Sequence, residues 1–332
     1  METRKLGCSE VEVTTVVFGA WAVGGWMWGG NERSKSVEAI RASIEAGVTS
    51  IDTAPIYGQG LSEEIVGEAI RGFQRSDLQI LTKCGLRWDV AAGEYFFESE
   101  GNDGKPVRTY RYAARDSVIA ECEASLQRLG VDYIDLLQLH WPDPTTPIDE
   151  TMEAFATLVN QGKVRAAGVS NYSLEQMRTA EQTISLASNQ VPYSMVERGI
   201  EAELVPYCIE HAKGILAYSP LQRGVLTGKY KPGHAFERGD HRARNEFFTD
   251  ENIRRINAFL DTIRPVADSH AATLAQFVIA WTVAQPGITA ALVGARDAEQ
   301  ARANAKAAEI KLSEAELADI TRKLDALTLE DA

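Results

Sequence analysis

Residues 133–139 read Tyr-Ile-Asp-Leu-Leu-Gln-Leu, a nearly continuous apolar run that is followed by His140. A strand with water on one face alternates polar and apolar side chains, whereas a strand covered on both faces is apolar almost throughout. The run therefore predicts a buried strand in a parallel sheet with helices outside it. Seven similar runs occupy residues 16–18, 48–51, 78–82, 164–169, 186–189, 214–218 and 288–293.

Amphipathic segments of helical length separate these runs. Residues 36–46 place apolar side chains at helical spacing and stop before Gly47, a residue suited to a helix C-terminus. Residues 62–71 and 115–129 show the same spacing. Eight strand–helix units predict an α/β fold of the closed (β/α)₈, or TIM barrel, type. We expect residues 1–332 to form this barrel as a single domain.

A doubly wound open sheet is the alternative architecture for such an alternation. That fold usually marks its nucleotide site with Gly-x-Gly-x-x-Gly after the first strand. Here the first run leads into Gly19-Ala-Trp-Ala-Val-Gly-Gly25, which does not match and therefore favours the barrel. Residues 86–112 and 231–250 are too long for ordinary connections. On a barrel, insertions of this kind after a strand form the rim of the active site.

The composition argues against several classes of protein. Lys and Arg number 34 against 47 Asp and Glu, a net charge of −13, whereas a nucleic-acid binder is expected to show a basic excess. The longest apolar region, residues 274–284, is about half the length that spans a bilayer. The 4 cysteines are scattered, and the histidines lack metal-ligand spacing. We therefore expect a cytoplasmic protein without a metal, a nucleic-acid partner or a membrane partner.

Four chemically active side chains follow the ends of consecutive runs. Asp52 and Tyr57 belong to Ser50-Ile-Asp-Thr-Ala-Pro-Ile-Tyr-Gly58, in which a run ends in a carboxylate and a turn presents a tyrosine. Lys83 ends the third run and His140 ends the fourth. Because parallel strands of a barrel end at one common mouth, we expect these four side chains to lie together.

These residue types fit the reduction of a carbonyl group. A phenol with an ordinary pKa near ~10 can donate a proton to a developing alkoxide, and the ammonium of Lys83 is expected to lower that pKa. Asp52 would keep Lys83 charged, and His140 would orient the carbonyl oxygen. No side chain supplies a hydride, so this chemistry requires a cofactor.

Taken together, these motifs resemble the aldo-keto reductase superfamily, and residues 21–30 resemble its bacterial members of the general-stress and inositol-locus type. The matching segments are Asp52-Thr-Ala-x-x-Tyr57-Gly, Lys83, Gln138-Leu-His140 and Gly168-Val-Ser-Asn171, in the family's order and spacing. The opening Arg4-Lys-Leu-Gly-x-Ser9 resembles the N-terminal β-hairpin that closes the barrel bottom. The resemblance implies an NADP-dependent oxidoreductase that reduces an aldehyde or ketone to an alcohol. It implies a catalytic tetrad of Asp52, Tyr57, Lys83 and His140.

The resemblance also implies a set of cofactor-binding residues around the barrel mouth. They are Trp21, Ser170, Asn171, Gln190, Tyr218, Ser219, Pro220, Leu221, Gln222, Gly224, Leu226, Gly294, Arg296, Gln300 and Asn304. Arg296 follows the eighth run and precedes a helix, where an arginine suits the 2′-phosphate of the cofactor. We therefore expect NADPH rather than NADH.

The substrate residues are harder to align with the family. Trp26, Trp28, Trp88 and Trp141 are the candidates for an aromatic substrate pocket. Arg87, Arg108 and Arg111 either read an anionic substrate, such as a sugar phosphate, or are solvated charges. The expected partner is a small-molecule carbonyl compound, and both its identity and the oligomeric state are left open.

Two other functions stay open at this point. The first is a regulatory or sensor protein that binds NADPH and retains slow reductase activity, like the channel-associated subunits of the superfamily. The second is a barrel with another chemistry, such as an isomerase or lyase, which would not bind NADPH.

Overall fold

The computed structural model describes residues 1–25, 32–236 and 240–330. The strands are β1 (Thr3–Lys5), β2 (Glu12–Thr14), β3 (Val16–Gly19), β4 (Ser50–Asp52), β5 (Gln79–Cys84), β6 (Leu86–Arg87), β7 (Glu94–Glu100), β8 (Pro106–Arg111), β9 (Ile134–Leu139), β10 (Val164–Ser170), β11 (Ser188–Pro192), β12 (Gly214–Tyr218) and β13 (Ile288–Val293). The α-helices are α1 (Arg33–Glu45), α2 (Leu61–Ala69), α3 (Arg115–Leu129), α4 (Ile148–Asn160), α5 (Leu174–Ala180), α6 (Leu204–Glu210), α7 (Asp250–Ser269), α8 (Leu274–Ala284), α9 (Ala298–Ala305) and α10 (Glu314–Asp325).

Eight parallel strands close into a barrel in the order β3-β4-β5-β9-β10-β11-β12-β13, and β13 pairs with β3 to complete it. All eight predicted runs are strands of this barrel, and the predicted bounds of β12 and β13 are those observed. Every residue of β9 and of β13 is buried, which explains why their sequences do not alternate. The (β/α)₈ prediction is confirmed.

The helices cover the outside of the barrel with their apolar faces. The 15 residues of α3 coincide with the predicted segment, and the helix ends at Gly130, which adopts a φ of 66°. This left-handed conformation is costly for residues with a Cβ and natural for glycine. The helices of the described chain include none that combines the length and the apolar character needed to cross a membrane.

The predicted N-terminal hairpin is present and closes the bottom of the barrel. Strands β1 and β2 pair antiparallel, with Arg4 opposite Val13. Leu6, Val11 and Val13 are buried in one cluster with barrel-interior residues such as Leu136. Their packing seals the end of the barrel that lies opposite the strand C-termini.

Residues 86–112 differ from the long irregular loop expected from the sequence. They form an antiparallel sheet in the order β6-β8-β7, inserted between β5 and α3. The hairpin between β7 and β8 is closed by Gly101 N–H donating to Lys105 O at 2.8 Å. The Asp103-Gly104 pair in this turn is a strong hairpin signal that the sequence analysis did not use.

Candidate active site

The four predicted tetrad residues meet at the C-terminal ends of β4, β5 and β9. The Nζ of Lys83 donates to Asp52 Oδ1 at 2.6 Å, to Thr53 O at 3.0 Å and to Tyr57 Oη at 3.2 Å. The rings of Tyr57 and His140 meet edge to face, with their centroids 5.8 Å apart. The structure therefore brings together all four side chains, as the strand-end argument predicts.

Asp52 is the centre of a buried polar network. Its Oδ2 accepts from the Nε2 of Gln138 at 3.2 Å and from the Nε2 of Gln190 at 2.9 Å. The same nitrogen of Gln190 donates to Gln138 Oε1 at 3.1 Å. Each carboxylate oxygen of Asp52 is thus satisfied, which is the condition for keeping a charged pair inside a protein.

Gln138 was quoted in the motif but given no role by the sequence analysis. It lies two residues before His140, so the alternation of a strand places both side chains toward the same region. Gln190 was assigned to the cofactor, yet its amide nitrogen is engaged with Asp52 and Gln138. These two amides fix the carboxylate that in turn fixes Lys83.

The buried setting shifts the pKa of each titrating partner. Burial opposes the charge of Lys83, but Asp52 and Tyr57 outweigh it and raise the pKa of Lys83 above its ordinary value. Burial and the nearby charge of Lys83 hold the pKa of His140 well below its usual range. The imidazole is therefore neutral at neutral pH and retains one N–H donor.

The pKa of Tyr57 differs from the one expected from the sequence. Lys83 acts to lower the pKa of the phenol, as expected, but burial has the larger opposite effect and raises the pKa of Tyr57 overall. The phenol is consequently protonated at neutral pH. Because an ammonium only donates hydrogen bonds, the Tyr57 oxygen accepts from Lys83 and its own O–H remains able to donate elsewhere.

The segment that carries Tyr57 is held by close backbone contacts. Tyr57 N–H donates to Ala54 O at 3.2 Å, and Ser62 N–H donates to Tyr57 O at 3.1 Å. A Cβ at Gly24 would lie 2.4 Å from Tyr57 O, so this approach requires glycine. The ring of Trp21 lies 6.3 Å from that of Tyr57.

A second polar cluster lies at the ends of β10 and β12. Ser170 Oγ donates to Gln190 O at 2.8 Å, and Asn171 Nδ2 donates to Ser170 Oγ at 3.0 Å. Tyr218 Oη donates to Asn171 Oδ1 at 3.0 Å. Asn171 has a φ of 59°, a strained conformation of the kind often found at functional sites.

One cavity of about 840 Å³ is lined by Asp52, Tyr57 and His140 of the tetrad and by most of the predicted cofactor residues. Its cationic lining residues are Arg223, Lys229, Arg242 and Arg296, and Asp52 is the only carboxylate among the described residues that line it. The cavity is therefore locally cationic in a chain whose net charge is −13. A polyanionic ligand such as a dinucleotide fits this charge pattern.

The loop after β12 combines an unusual backbone conformation with a buried donor that has no partner among the described residues. Ser219, Gln222 and Arg223 have φ values of 56°, 43° and 54°, which are unfavourable for residues other than glycine. The Nε of Arg223 is buried and has no hydrogen-bond partner within the described parts of the chain. A buried donor of this kind is costly unless a ligand or water satisfies it, which fits a phosphate group of the cofactor.

The far end of the cavity lies between β13 and α9. Arg296, Gln300 and Asn304 all line it. Gln300 Oε1 accepts from Arg296 N at 3.1 Å, and Asn304 Nδ2 donates to Gly294 O at 3.0 Å. The N-terminus of α9 is capped by Asp297, whose Oδ1 accepts from Gln300 N. The carboxylate of Asp297 thus occupies this end of α9, beside Arg296.

Several residues that were predicted to bind the cofactor or the substrate are not among the described residues that line the cavity. Gln222 and Leu226 are buried and do not line the cavity, and Gln222 Nε2 instead donates to Glu197 Oε2 at 3.0 Å. Trp88 packs against the cluster that contains Ile56 and Leu86 and does not line the cavity. Trp26 and Trp28 lie outside the described residues. The remaining predicted cofactor residues line the cavity, as does Trp141.

Three cationic residues that line the cavity were not among the predicted site residues: Arg223, Lys229 and Arg242. Arg223 stands inside the quoted loop beside Gly224, so its charge was an available signal. Arg242 comes from the long segment after β12 and is held by Asp240 and by Tyr230 Oη. Its approach to the cavity depends on how that segment folds, which no local pattern indicates.

The fold and the site define a TIM-barrel protein with a large cationic cavity that opens at the strand ends beside a buried Lys–Asp–Tyr cluster. The chain belongs to the aldo/keto reductase family, whose sequence model matches residues 15–325. It is therefore an oxidoreductase.

Relatives span nearly the whole chain. Aldo-keto reductase YhdN of Bacillus subtilis is 38% identical over 305 residues, covering 91% of this chain and 87% of its own. The NADH-specific methylglyoxal reductase of Escherichia coli is 33% identical over 336 residues, covering 98% and 99%.

Solved structures show the same architecture. A glycerol dehydrogenase from Gluconobacter oxydans superposes with a TM-score of 0.87 at 34% identity, covering 99% of this chain and 97% of that chain. An aldo/keto reductase from Klebsiella pneumoniae, solved with NADP and acetate, gives a TM-score of 0.70 at 31% identity, covering 94% and 92%.

Proposed function

We propose that the protein, acting as a single domain, reduces an aldehyde or ketone to an alcohol with NADPH, and that Tyr57 donates the proton. The observation that carries this proposal is the hydrogen bond from Lys83 Nζ to Tyr57 Oη, 3.2 Å long, at the wall of the cavity. That bond leaves the phenol proton available to a substrate oxygen. It also places a positive charge where a phenolate would form.

The other tetrad residues serve this proton transfer. Asp52 keeps Lys83 charged and in place, and the amides of Gln138 and Gln190 keep Asp52 in place. Neutral His140 lies beside Tyr57 and offers an N–H to the carbonyl oxygen, which polarises the carbonyl without competing for the proton.

NADPH, when bound, supplies the hydride. The nicotinamide amide would be held by Ser170, Asn171 and the side-chain oxygen of Gln190, with Tyr218 beside the ring. The pyrophosphate would be held by the loop after β12, which contributes Ser219, Pro220, Leu221, Arg223 and Gly224. The adenosine end would be held by Gly294, Arg296, Gln300 and Asn304, which line the same cavity near β13 and α9.

Two comparisons bear on the choice between NADPH and NADH. The Klebsiella pneumoniae structure contains NADP, whereas the Escherichia coli relative is named as NADH-specific. We favour NADPH because Arg296 lines the far end of the cavity, where a guanidinium matches the geometry of a 2′-phosphate.

Arg296→Ala is expected to weaken NADPH binding by roughly 10- to 100-fold while changing NADH binding little, because only NADPH carries the 2′-phosphate. Titration of both cofactors by fluorescence or calorimetry measures this. Arg302→Ala is the matched control, since Arg302 lies on the same helix, pairs loosely with Glu45 and does not line the cavity. Equal losses for both cofactors would refute the assignment of Arg296.

The proposed activity is tested by following NADPH absorbance with the purified protein and a panel of aldehydes, ketones and sugar phosphates. Consumption that depends on the carbonyl compound supports the reductase. Tight NADPH binding without consumption on any member would favour a regulatory protein. No NADPH binding at all would favour another chemistry.

A further inference from the structure

We propose that the substrate of this site carries an uncharged apolar body, preferably aromatic, which packs on Phe96, Phe97 and Trp141. This inference rests on the proposed carbonyl reduction and specifies which carbonyl compounds the site selects. Two observations support it: the bulge in the pairing of β7 with β8, and the positions of the cationic side chains relative to the inserted sheet.

Strand β7 places two consecutive aromatic side chains at the same cavity. In a regular strand, successive side chains point to opposite faces. The pairing of β7 with β8 shifts between Tyr95 and Phe97, since Tyr95 lies opposite Tyr110 and Phe97 opposite Thr109, which leaves Phe96 as an extra residue. This bulge allows both Phe96 and Phe97 to line the cavity, and bulges commonly redirect a side chain beside an active site.

The two phenylalanines form a continuous apolar surface that leads to the tetrad. The ring centroids of Phe96 and Phe97 are 5.1 Å apart, and those of Phe96 and Trp141 are 5.3 Å apart. Trp141 directly follows His140, whose ring contacts that of Tyr57. All three aromatic residues are only partly buried, so they present ring surface to the cavity. Exposed rings of this kind favour an apolar ligand over water.

The three arginines of the inserted sheet each form an ion pair with a carboxylate, and none of them lines the cavity, although the buried Nε of Arg111 has no hydrogen-bond partner among the described residues. Arg111 forms an ion pair with Glu94, and its guanidinium lies 4.8 Å from the centroid of the Phe96 ring. Arg87 pairs with Asp89, and Arg108 pairs with Glu98. Because none of these three arginines lines the cavity, the alternative that they bind an anionic substrate is not favoured.

The remaining cations of the cavity lie on the other side of its mouth. Arg223, Lys229 and Arg242 follow β12, and Arg296 follows β13, whereas the aromatic surface belongs to the segments after β5 and β9. In the barrel order, β12 and β13 are separated from β5 and β9 by other strands on both sides. A carboxylate or phosphate on a substrate that packs on Phe96, Phe97 and Trp141 would thus leave water without meeting a cation among the described lining residues on that side, which is unfavourable.

The test compares benzaldehyde with 4-carboxybenzaldehyde, which differ by a charged carboxylate group at the para position, remote from the reacting carbon. We expect kcat/KM for benzaldehyde to exceed that for the carboxylated compound by at least roughly tenfold. Phe96→Ala and Phe97→Ala are each expected to raise KM for benzaldehyde by roughly tenfold. Both variants should leave NADPH affinity unchanged.

Tyr95→Ala is the matched control, because Tyr95 belongs to the same strand but is 54% exposed and does not line the cavity. It is expected to behave as the wild type. Calorimetric binding of benzyl alcohol to the NADP-loaded protein gives a second readout that needs no turnover. Binding should weaken in Phe96→Ala and not in Tyr95→Ala.

Equal kcat/KM for the two aldehydes, or equal effects of Phe96→Ala and Tyr95→Ala, would overturn this inference while leaving the reductase function in place. Failure of the proposed function has a different signature. In that case the wild type would oxidise NADPH with neither aldehyde nor with any other member of the panel, and the inference would fall with it.

Discussion

Tyr57→Phe is expected to lower kcat for carbonyl reduction by roughly 10²- to 10⁴-fold, the usual contribution of a positioned general acid. The phenyl ring retains the contacts with Trp21 and His140, so the cavity keeps its shape. Only the O–H group that donates the proton, and that accepts from Lys83, is removed. Steady-state kinetics gives the effect on kcat, and fluorescence titration shows whether NADPH affinity stays within about twofold.

Tyr95→Phe provides the control for this change, since it removes a hydroxyl from an exposed tyrosine outside the cavity. It should leave kcat unaltered. If Tyr57→Phe turns over like the wild type, the proton comes from another source and the proposed role of Tyr57 is refuted. A loss of NADPH binding equal to the loss of kcat would instead assign Tyr57 to the cofactor.

Lys83→Met is expected to reduce both activity and stability. Lys83 is fully buried, and methionine is also unbranched and only one atom shorter, so most of the packing volume is kept. Without the ammonium, Asp52 becomes a buried carboxylate with no cation, a change that typically costs about 3–5 kcal/mol in the free energy of unfolding. The lost positive charge beside Tyr57 should also lower kcat by roughly 100-fold. Denaturant unfolding and steady-state kinetics measure the two effects.

The double variant Lys83→Met/Asp52→Asn separates these two contributions. Removing both charges relieves the buried carboxylate, so the double variant should be more stable than Lys83→Met alone. Its kcat should stay low, because the ammonium beside Tyr57 is still missing. Additive losses of stability in the two single variants would show that the pair is not coupled as the 2.6 Å contact implies.

The architecture and the tetrad were predictable from sequence for the same physical reason. Parallel strands covered on both faces are apolar throughout, so the runs ending near Asp52, Lys83 and His140 were visible one by one. Their C-terminal ends meet at one mouth in any barrel, and this predicts the proximity of the side chains without coordinates. The family resemblance then added the hairpin, which the structure confirms.

The parts that sequence did not reveal depend on tertiary contacts. The amides of Gln138 and Gln190 turn toward Asp52 because three barrel strands place them there. The net rise in the pKa of Tyr57 reflects burial, which a pairwise argument from Lys83 omits. The bulge that directs Phe96 and Phe97 to one cavity arises from strand register, a property of two paired segments rather than of either one.

Hydride transfer to a carbonyl carbon within this cavity can be followed by deuterium labelling. The protein would be incubated with benzaldehyde and NADPH deuterated at the transferring position, and the alcohol would be analysed by mass spectrometry. We expect the label at the carbinol carbon with the wild type, and a strongly reduced yield of labelled alcohol with Tyr57→Phe. Alcohol without the label, or no alcohol from any aldehyde or ketone despite bound NADPH, would contradict this expectation.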